Sequence, residues 1–402
     1  MDINKPIKSI PVTLDSRVNI LEVIGAAGIG GMENHIKSLI ANLPANQFQV
    51  TCICPFESEF TASLRKLGVE EVYVTPVTDD PAWRSIQLTV ETARLHKIDI
   101  LHAHMPKAHA LAGLAGSLIH KPVVATLHGM NVTTQELGIT RAVGSHLITN
   151  CQESFTQALA MGVPADHVDL VRNGVDTAIF TSDRDGDEFR SAINIPPGIP
   201  LIGFVGRLEK EKGPDLFLRA MDLVHQARPD AHFVIVGEGL MRIELQKMCK
   251  RFGLEQHVHF EGWWANTELI YPALDFLVHS SRSDGTSLVL LEALACGCPA
   301  VGLAVGGVRE IIENERTGFV VGEGDWEGLV FRSLQLLEQP ALLKSMKSTA
   351  RLRVKQYFDL KANTKRTAEV LRHVAFPAAN GQRLAHGSSL TREMGGRKSV
   401  DN

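Results

Sequence analysis

No apolar run in the 402-residue sequence approaches the roughly 18–20 residues that a bilayer-spanning helix needs. The longest candidate, the small-residue stretch 108–119, reads as a buried helix. There is no basic excess either. Against 41 Lys and Arg stand 45 Asp and Glu, a net charge of −4, so nothing is available to neutralise a nucleic-acid backbone or grip an anionic membrane. No nucleic-acid partner is expected. The opening residues Met1-Asp2-Ile3-Asn4-Lys5-Pro6 have no apolar core after their charges, so no secretory signal is read there and a cytoplasmic location is the default. Cys-x-x-Cys is absent. The six cysteines comprise Cys52-x-Cys54, Cys296-x-Cys298 and two single residues, which points to reduced structural thiols rather than a zinc knuckle.

What is present is ordinary globular composition, 44% hydrophobic and 21% charged, at a length that suggests two domains or at most three. From Val18 onward, short runs rich in Val and Ile alternate with stretches of helical period, the pattern of strand–helix units around a parallel sheet. Strands are predicted over 18–23, 49–54, 71–74, 99–102, 123–127, 146–149 and 169–171. The polar stretch 181–187 and the turn cluster Pro196-Pro197-Gly198-Ile199-Pro200 interrupt the pattern, after which 201–205, 232–236, 258–261, 276–279, 299–302 and 319–321 read as a second parallel sheet. The expected organisation is an α/β chain of two Rossmann-like domains, 1–180 and 181–355, facing a cleft. Residues 376–402 carry too little hydrophobic surface to offset ordering entropy and read as a disordered tail. The first 180 residues hold 13 Lys and Arg against 17 Asp and Glu, mildly acidic, while the rest is balanced.

Three segments carry chemistry. The loop Gly25-Ala26-Ala27-Gly28-Ile29-Gly30-Gly31 lies between a strand and a helix, where free N–H groups favour an anion, although its glycine spacing is not the dinucleotide fingerprint. By itself it is read equally well as a plain tight turn. After strand 201–205 comes Gly206-Arg207-Leu208-Glu209-Lys210-Glu211-Lys212-Gly213, in which Arg207 and Lys212 could together neutralise a diphosphate, or could form a solvated turn. Near the end of the second sheet, Asp284 falls in a loop and Ser287 is a plausible N-cap for a helix that is apolar nearly all round except for Glu292. A carboxylate amid Leu288, Val289, Leu290, Leu291, Ala293 and Leu294 needs hydrogen-bond donors, from a protein partner or from a ligand's vicinal diol.

The run from Asp284 to Pro299 resembles the E-x7-E segment of retaining glycosyltransferases of family four, which have the GT-B fold. Other stretches agree in the family's order. Gly30-Gly31-Met32-Glu33 resembles its G-G-x-E loop, Thr126-Leu127-His128-Gly129 its first-domain His-Gly, and Asn173-Gly174-Val175-Asp176 its N-G-V-D hinge approach. Gly206-Arg207 with Lys212-Gly213 resembles its G-R-x4-K-G, and Val236-Gly237-Glu238-Gly239 its V-G-x-G strand end. The resemblance spans about 18–371.

Carried over residue by residue, it implies a donor site in which Arg207 and Lys212 hold the diphosphate and Glu292 the ribose hydroxyls. Asp284 faces the sugar. Gly30 and Gly31 approach the diphosphate, His128 lies by the sugar, and Gly285, Ser287 and Leu288 complete the donor-binding stretch. It implies transfer of a sugar from a UDP- or GDP-linked donor to a glycan, glycolipid or small-molecule acceptor, in cell-surface polysaccharide or glycoconjugate biosynthesis, with no metal and no cofactor besides the co-substrate. It also implies a C-terminal helix, 356–375, that crosses back to the first domain. One position departs from the family: Asp284 stands where Glu is usual, one methylene or about 1.5 Å shorter, and Thr286 and Ser287 replace a bulky residue and Pro. Two other activities share the architecture, a nucleotide-sugar 2-epimerase and a non-catalytic nucleotide-sugar binding protein, the latter motivated by Asp284. The mild acidity of the first half argues against polybasic docking but is compatible with a lipid-linked acceptor and peripheral contact at the inner membrane face. His102-x-His104, with His109 beyond, could form a metal pair on one strand face, yet it resembles the family's ordinary strand ending. Trp263-Trp264 could stack on a base or sugar, or simply pack.

Overall fold

The computed structural model describes residues 17–377 with the exception of Ile29. The tail expected over 376–402 lies outside the described residues from 378 onward. The chain forms two parallel sheets. The first holds β1 (Val18–Ile24), β2 (Phe48–Cys54), β3 (Val72–Val74), β4 (Ile100–His104), β5 (Val123–Leu127), β6 (His146–Thr149) and β7 (Val168–Leu170), in the order β3-β2-β1-β4-β5-β6-β7. The second holds β8 (Leu201–Val205), β9 (His232–Val236), β10 (Val258–Gly262), β11 (Phe276–His279), β12 (Ala300–Leu303) and β13 (Gly318–Val321), in the order β10-β9-β8-β11-β12-β13. Helices cover both faces of each sheet, so the central strands are buried on both sides, which explains their near-continuous Val, Ile and Leu runs. Among the described residues no helix is long and apolar enough to cross a membrane. All six cysteines are free and buried.

In each sheet the order reverses beside the first strand, between β1 and β4 and between β8 and β11. At such a switch point the loops leaving adjacent strands diverge in opposite directions and open a crevice. The loops that leave β1, β8 and β11 are the three segments singled out for chemistry, and the two crevices face each other.

The chain passes between domains twice. The first passage follows β7. The second lies between the helices Pro340–Tyr357 and Leu360–Ala375, where Asp359 caps the new helix by accepting from the Ala362 N–H at 3.0 Å. Helix Pro340–Tyr357 packs Ala350 and Val354 into the second domain. Helix Leu360–Ala375 instead buries Ala368, Val370 and Leu371 against Val18, Ile20, Phe48, Val124 and Ile148 of the first. Full burial of Val370 and Leu371 contributes about 1.5–3 kcal/mol each. The two passages touch: Val175 and Asp359 form a short parallel bridge, and a Cβ on Gly174 would stand 2.5 Å from the Leu360 Cα. Only glycine fits there.

Candidate active site

The facing crevices form one cavity of about 630 Å³. Gly30, Gly31, His128, Arg207, Lys212, Asp284, Ser287, Leu288 and Glu292 all line it. Gly285 does not line it. It lies beneath, where a Cβ would meet the His128 carbonyl oxygen at 2.4 Å, so its lack of a side chain lets the two domains approach.

From the first domain, the helix Gly31–Asn42 points its N-terminus at the cavity. Its buried Glu33 turns back to accept from the Gly28 N–H at 3.2 Å, which shapes the glycine loop. His128 follows β5 directly and reaches the cavity wall. Its Nε2 lies 2.9 Å from the Nδ1 of His104, and behind that the Glu22 carboxylate accepts from His104 Nε2 at 2.8 Å and from His102 Nδ1 at 3.1 Å. Burial alone would push the Glu22 carboxyl up, but the two imidazoles hold it down at about 2. Among the described residues Glu22, His102 and His104 are the one His, Cys, Asp or Glu group close enough to share an ion. Their ligand atoms are already paired with one another at 0–1% exposure. His109 stands apart, bonded to Ser145 Oγ at 2.8 Å.

From the second domain come the charges. Lys212 Nζ lies 3.1 Å from Asp284 Oδ2, and His279 Nε2 donates to that same oxygen at 3.1 Å. Burial would raise the Asp284 carboxyl, yet the His279 hydrogen bond and the Lys212 charge outweigh it and hold the group far below the usual range. Arg207, 56% exposed, pairs with Glu211. Each of the two cations thus carries a carboxylate partner. The Gly206–Gly213 loop is braced by Arg282, which grips Asp215 with both guanidinium nitrogens at 2.7 and 2.8 Å and donates to the Lys210 carbonyl at 2.8 Å.

Glu292 projects from the helix Leu288–Ala295, capped by Ser287, and accepts from the Tyr271 hydroxyl at 2.5 Å. Burial pushes its carboxyl up to about 7, the Tyr271 hydrogen bond only partly compensating. Trp263, Trp264 and Thr267 complete this end of the cavity; Trp264 packs edge-on against Phe189 at 4.8 Å, while Trp263 is 59% exposed.

Thr286 explains its own departure from the family pattern, because its hydroxyl donates to the Asn150 carbonyl across the cleft. Asn173 donates to the Thr286 carbonyl at 3.4 Å, and Arg172 pairs with Glu310 at 2.6 Å. The two Asp-x-Asp triplets of the sequence, in Asp183-Arg184-Asp185-Gly186-Asp187, are exposed in the interdomain link, and none of their carboxylates lines the cavity.

A family model described as "Glycosyltransferase Family 4" matches residues 29–179, and one described as "Glycosyl transferases group 1" matches residues 185–353. The junction of the two matches falls on the acidic link. The chain is a family-four glycosyltransferase of the GT-B fold. This glycosyltransferase is 27% identical to the N-acetyl-alpha-D-glucosaminyl L-malate synthase of Bacillus anthracis over 67% of the chain and 73% of that relative. It is 28% identical to a D-inositol 3-phosphate glycosyltransferase of Thermomonospora curvata over 79% of the chain and 85% of the relative. Among solved structures, Anabaena HepE, in complex with UDP and glucose, superposes with a TM-score of 0.78 at 24% identity, covering 89% of this glycosyltransferase and all of that chain. Sucrose-phosphate synthase from Thermosynechococcus elongatus superposes at 0.72 and 19% identity, covering 89% and 99%.

His279, Tyr271, Arg282 and Glu22 were not singled out from the sequence. Each acts on a site residue through a contact distant in sequence or through a loop, and a lone His, Tyr or Arg in a strand or turn gives no periodic signal. The readable clue at Glu22 was a carboxylate inside the run Ile20-Leu21-Glu22-Val23-Ile24, apolar on both sides of it.

Proposed function

We propose that the enzyme transfers a hexose or N-acetylhexosamine from a UDP- or GDP-linked donor to a glycan, glycolipid or small-molecule acceptor, with retained anomeric configuration and without a divalent metal, in cell-surface polysaccharide or glycoconjugate biosynthesis. The observation that carries this reading is the convergence in one cavity of Lys212, Arg207 and the N-terminus of helix Gly31–Asn42 at one end with the half-buried Glu292 at the other. The nucleotide binds between β8 and β11 with its ribose hydroxyls donating to Glu292. Its diphosphate takes Lys212 and Arg207 from their present carboxylate partners. Fixed cations aimed at the leaving diphosphate lower the barrier to breaking the glycosidic C–O bond, since negative charge grows there in the transition state. Gly30 and Gly31 let backbone N–H groups approach the same oxygens, and the helix dipole adds to them. Asp284, released from Lys212 and still oriented by His279, accepts sugar hydroxyls, while Gly285, Ser287 and Leu288 shape that wall and His128 closes it from the first domain.

Support for glycosyl transfer comes from the relatives, named as an N-acetyl-alpha-D-glucosaminyl L-malate synthase and a D-inositol 3-phosphate glycosyltransferase, and support for the donor class from the Anabaena structure containing UDP and glucose. Turnover of UDP- and GDP-sugars is to be measured with a panel of small and lipid-linked acceptors in excess EDTA, the product anomer being read by NMR. Product of the donor's own anomeric configuration, formed at an undiminished rate under chelation, is the expected result. Inverted product, or turnover abolished by EDTA and restored by Mg²⁺, would overturn the mechanism.

A further inference from the structure

Behind His128 lies a row of buried polar groups that donor binding leaves unused. Glu22 sits in β1 at 0% exposure, where its neighbours are Leu and Val. A carboxylate there is costly unless it is fully paired. The register of β1 on β4 sets Glu22 opposite His102, and His104, two residues on, faces the same side.

The hydrogens in this row follow by elimination. An ionised carboxylate can only accept, so both imidazoles donate to Glu22, and His104 carries its hydrogen on Nε2. Burial and the neighbouring His102 disfavour a second proton on His104, which leaves its Nδ1 a bare acceptor. That nitrogen faces His128 Nε2 at 2.9 Å, so His128 must be the donor. Thr126 Oγ1, 2.8 Å from His102 Nε2, closes the other end of the row. The titratable groups facing His128 are His35, from helix Gly31–Asn42 and edge-on at 5.4 Å, with His104, His102 and Glu22 from the sheet. Burial, reinforced by the neighbouring imidazoles, holds the His128 ring well below the ordinary imidazole range. His35 is likewise pushed down, to about 3.

We propose that Glu22, acting through His104, is a positioning residue that fixes His128 as the neutral Nε2–H tautomer, so that His128 offers the cleft its Nδ1 lone pair as the acceptor for a sugar hydroxyl. The proposal rests on the donor-site reading above and adds the polarity of one contact in it. An imidazolium in that place would oppose the positive charge that develops at the anomeric carbon, whereas a neutral acceptor orients the hydroxyl without that opposition.

The tautomer can be read without substrate. In protein labelled with ¹⁵N in its histidine rings, two-bond ¹H–¹⁵N spectra distinguish Nε2–H from Nδ1–H, and the His128 signals are those lost in His128→Gln. Neutral Nε2–H on His128 between pH 6 and 8 is expected. Nδ1–H or a doubly protonated ring in the wild type overturns the assignment whatever any variant does. Glu22→Gln gives His104 a carboxamide N–H to accept, so the row can reverse; Nδ1–H should then populate on His128. In parallel, kcat should fall about 10- to 10³-fold with nucleoside diphosphate affinity unchanged within about twofold. Glu22→Asp should recover part of the loss. An unchanged tautomer together with an unchanged kcat in Glu22→Gln refutes the positioning role. Should that variant fail to fold, the wild-type spectrum still decides the tautomer and His104→Gln takes its place in the kinetic comparison. Failure to bind any nucleotide sugar would instead count against the donor-site reading, since the spectrum is recorded without one.

Discussion

Lowering the pH from 8 to 6 should weaken donor binding about tenfold through one side chain, Glu292. Its carboxyl, pushed up to about 7 by burial, crosses from mostly ionised to mostly protonated in that interval. Tyr271 donates to Oε2 at 2.5 Å and the Thr267 hydroxyl is a second donor to the same carboxylate, whose remaining lone pairs receive a ribose hydroxyl. A proton on the carboxyl converts an acceptor into a donor and sets it against hydroxyls that also donate. If only the ionised form binds, affinity is reduced about twofold at pH 7 and about elevenfold at pH 6, near 1.4 kcal/mol. Titration calorimetry with an intact nucleotide sugar is the appropriate assay, because a terminal phosphate would itself titrate near pH 6. Glu292→Gln should bind more weakly at pH 8, by about 1–3 kcal/mol, and should lose the pH slope. A wild-type affinity independent of pH, or the same slope in wild type and variant, would refute the argument.

The same raised carboxyl affects stability with a definite sign. The folded state holds this proton more tightly than the unfolded chain, so its contribution to stability is lost as pH rises from the ordinary glutamate range through about 7, and the Tm of Glu292→Gln relative to wild type should climb over that range. Lys212→Ala should lower turnover by about 10²–10³ while the fold persists, because it removes a preorganised charge and opens no core cavity; near-normal kcat in a folded variant would count against the diphosphate role. Asp284→Asn should spare nucleoside diphosphate binding and cut turnover of the sugar donor, and equal weakening of both ligands would contradict the division between Asp284 and Glu292. Thr286→Val, which removes the hydroxyl that reaches the Asn150 carbonyl, should raise hydrogen exchange at the interdomain seam without changing the exchange of either sheet.

The sheets were legible because a strand buried on both faces must be apolar throughout, and runs such as 201–205 and 232–236 show it directly. The strand read over 99–102 runs instead over Ile100–His104. His102 and His104 are polar residues whose burial depends on Glu22, 80 residues earlier in the chain. The helix implied over 356–375 starts only at Leu360, because the preceding helix runs to Tyr357 and Asp359 caps a new one. The cation pair Arg207 and Lys212 could be located from the loop sequence, but their carboxylate partners could not: Glu211 lies in the same charged run, and Asp284 meets Lys212 only once β8 and β11 are side by side. Local patterns record which face of an element is buried. They do not record which polar group waits on that face.

The return of helix Leu360–Ala375 makes the first domain discontinuous in sequence. A fragment that stopped at residue 180 would bare the apolar bed formed by Val18, Ile20, Phe48, Val124 and Ile148, which Val370 and Leu371 cover in the intact chain. The first domain is therefore completed only after the second has been synthesised, and during translation its last face stays open until helix Leu360–Ala375 leaves the ribosome. Folding order and cleft assembly are tied together: the segment that closes the first domain arrives only after the second domain's own last helix, so the first crevice is not finished before the second.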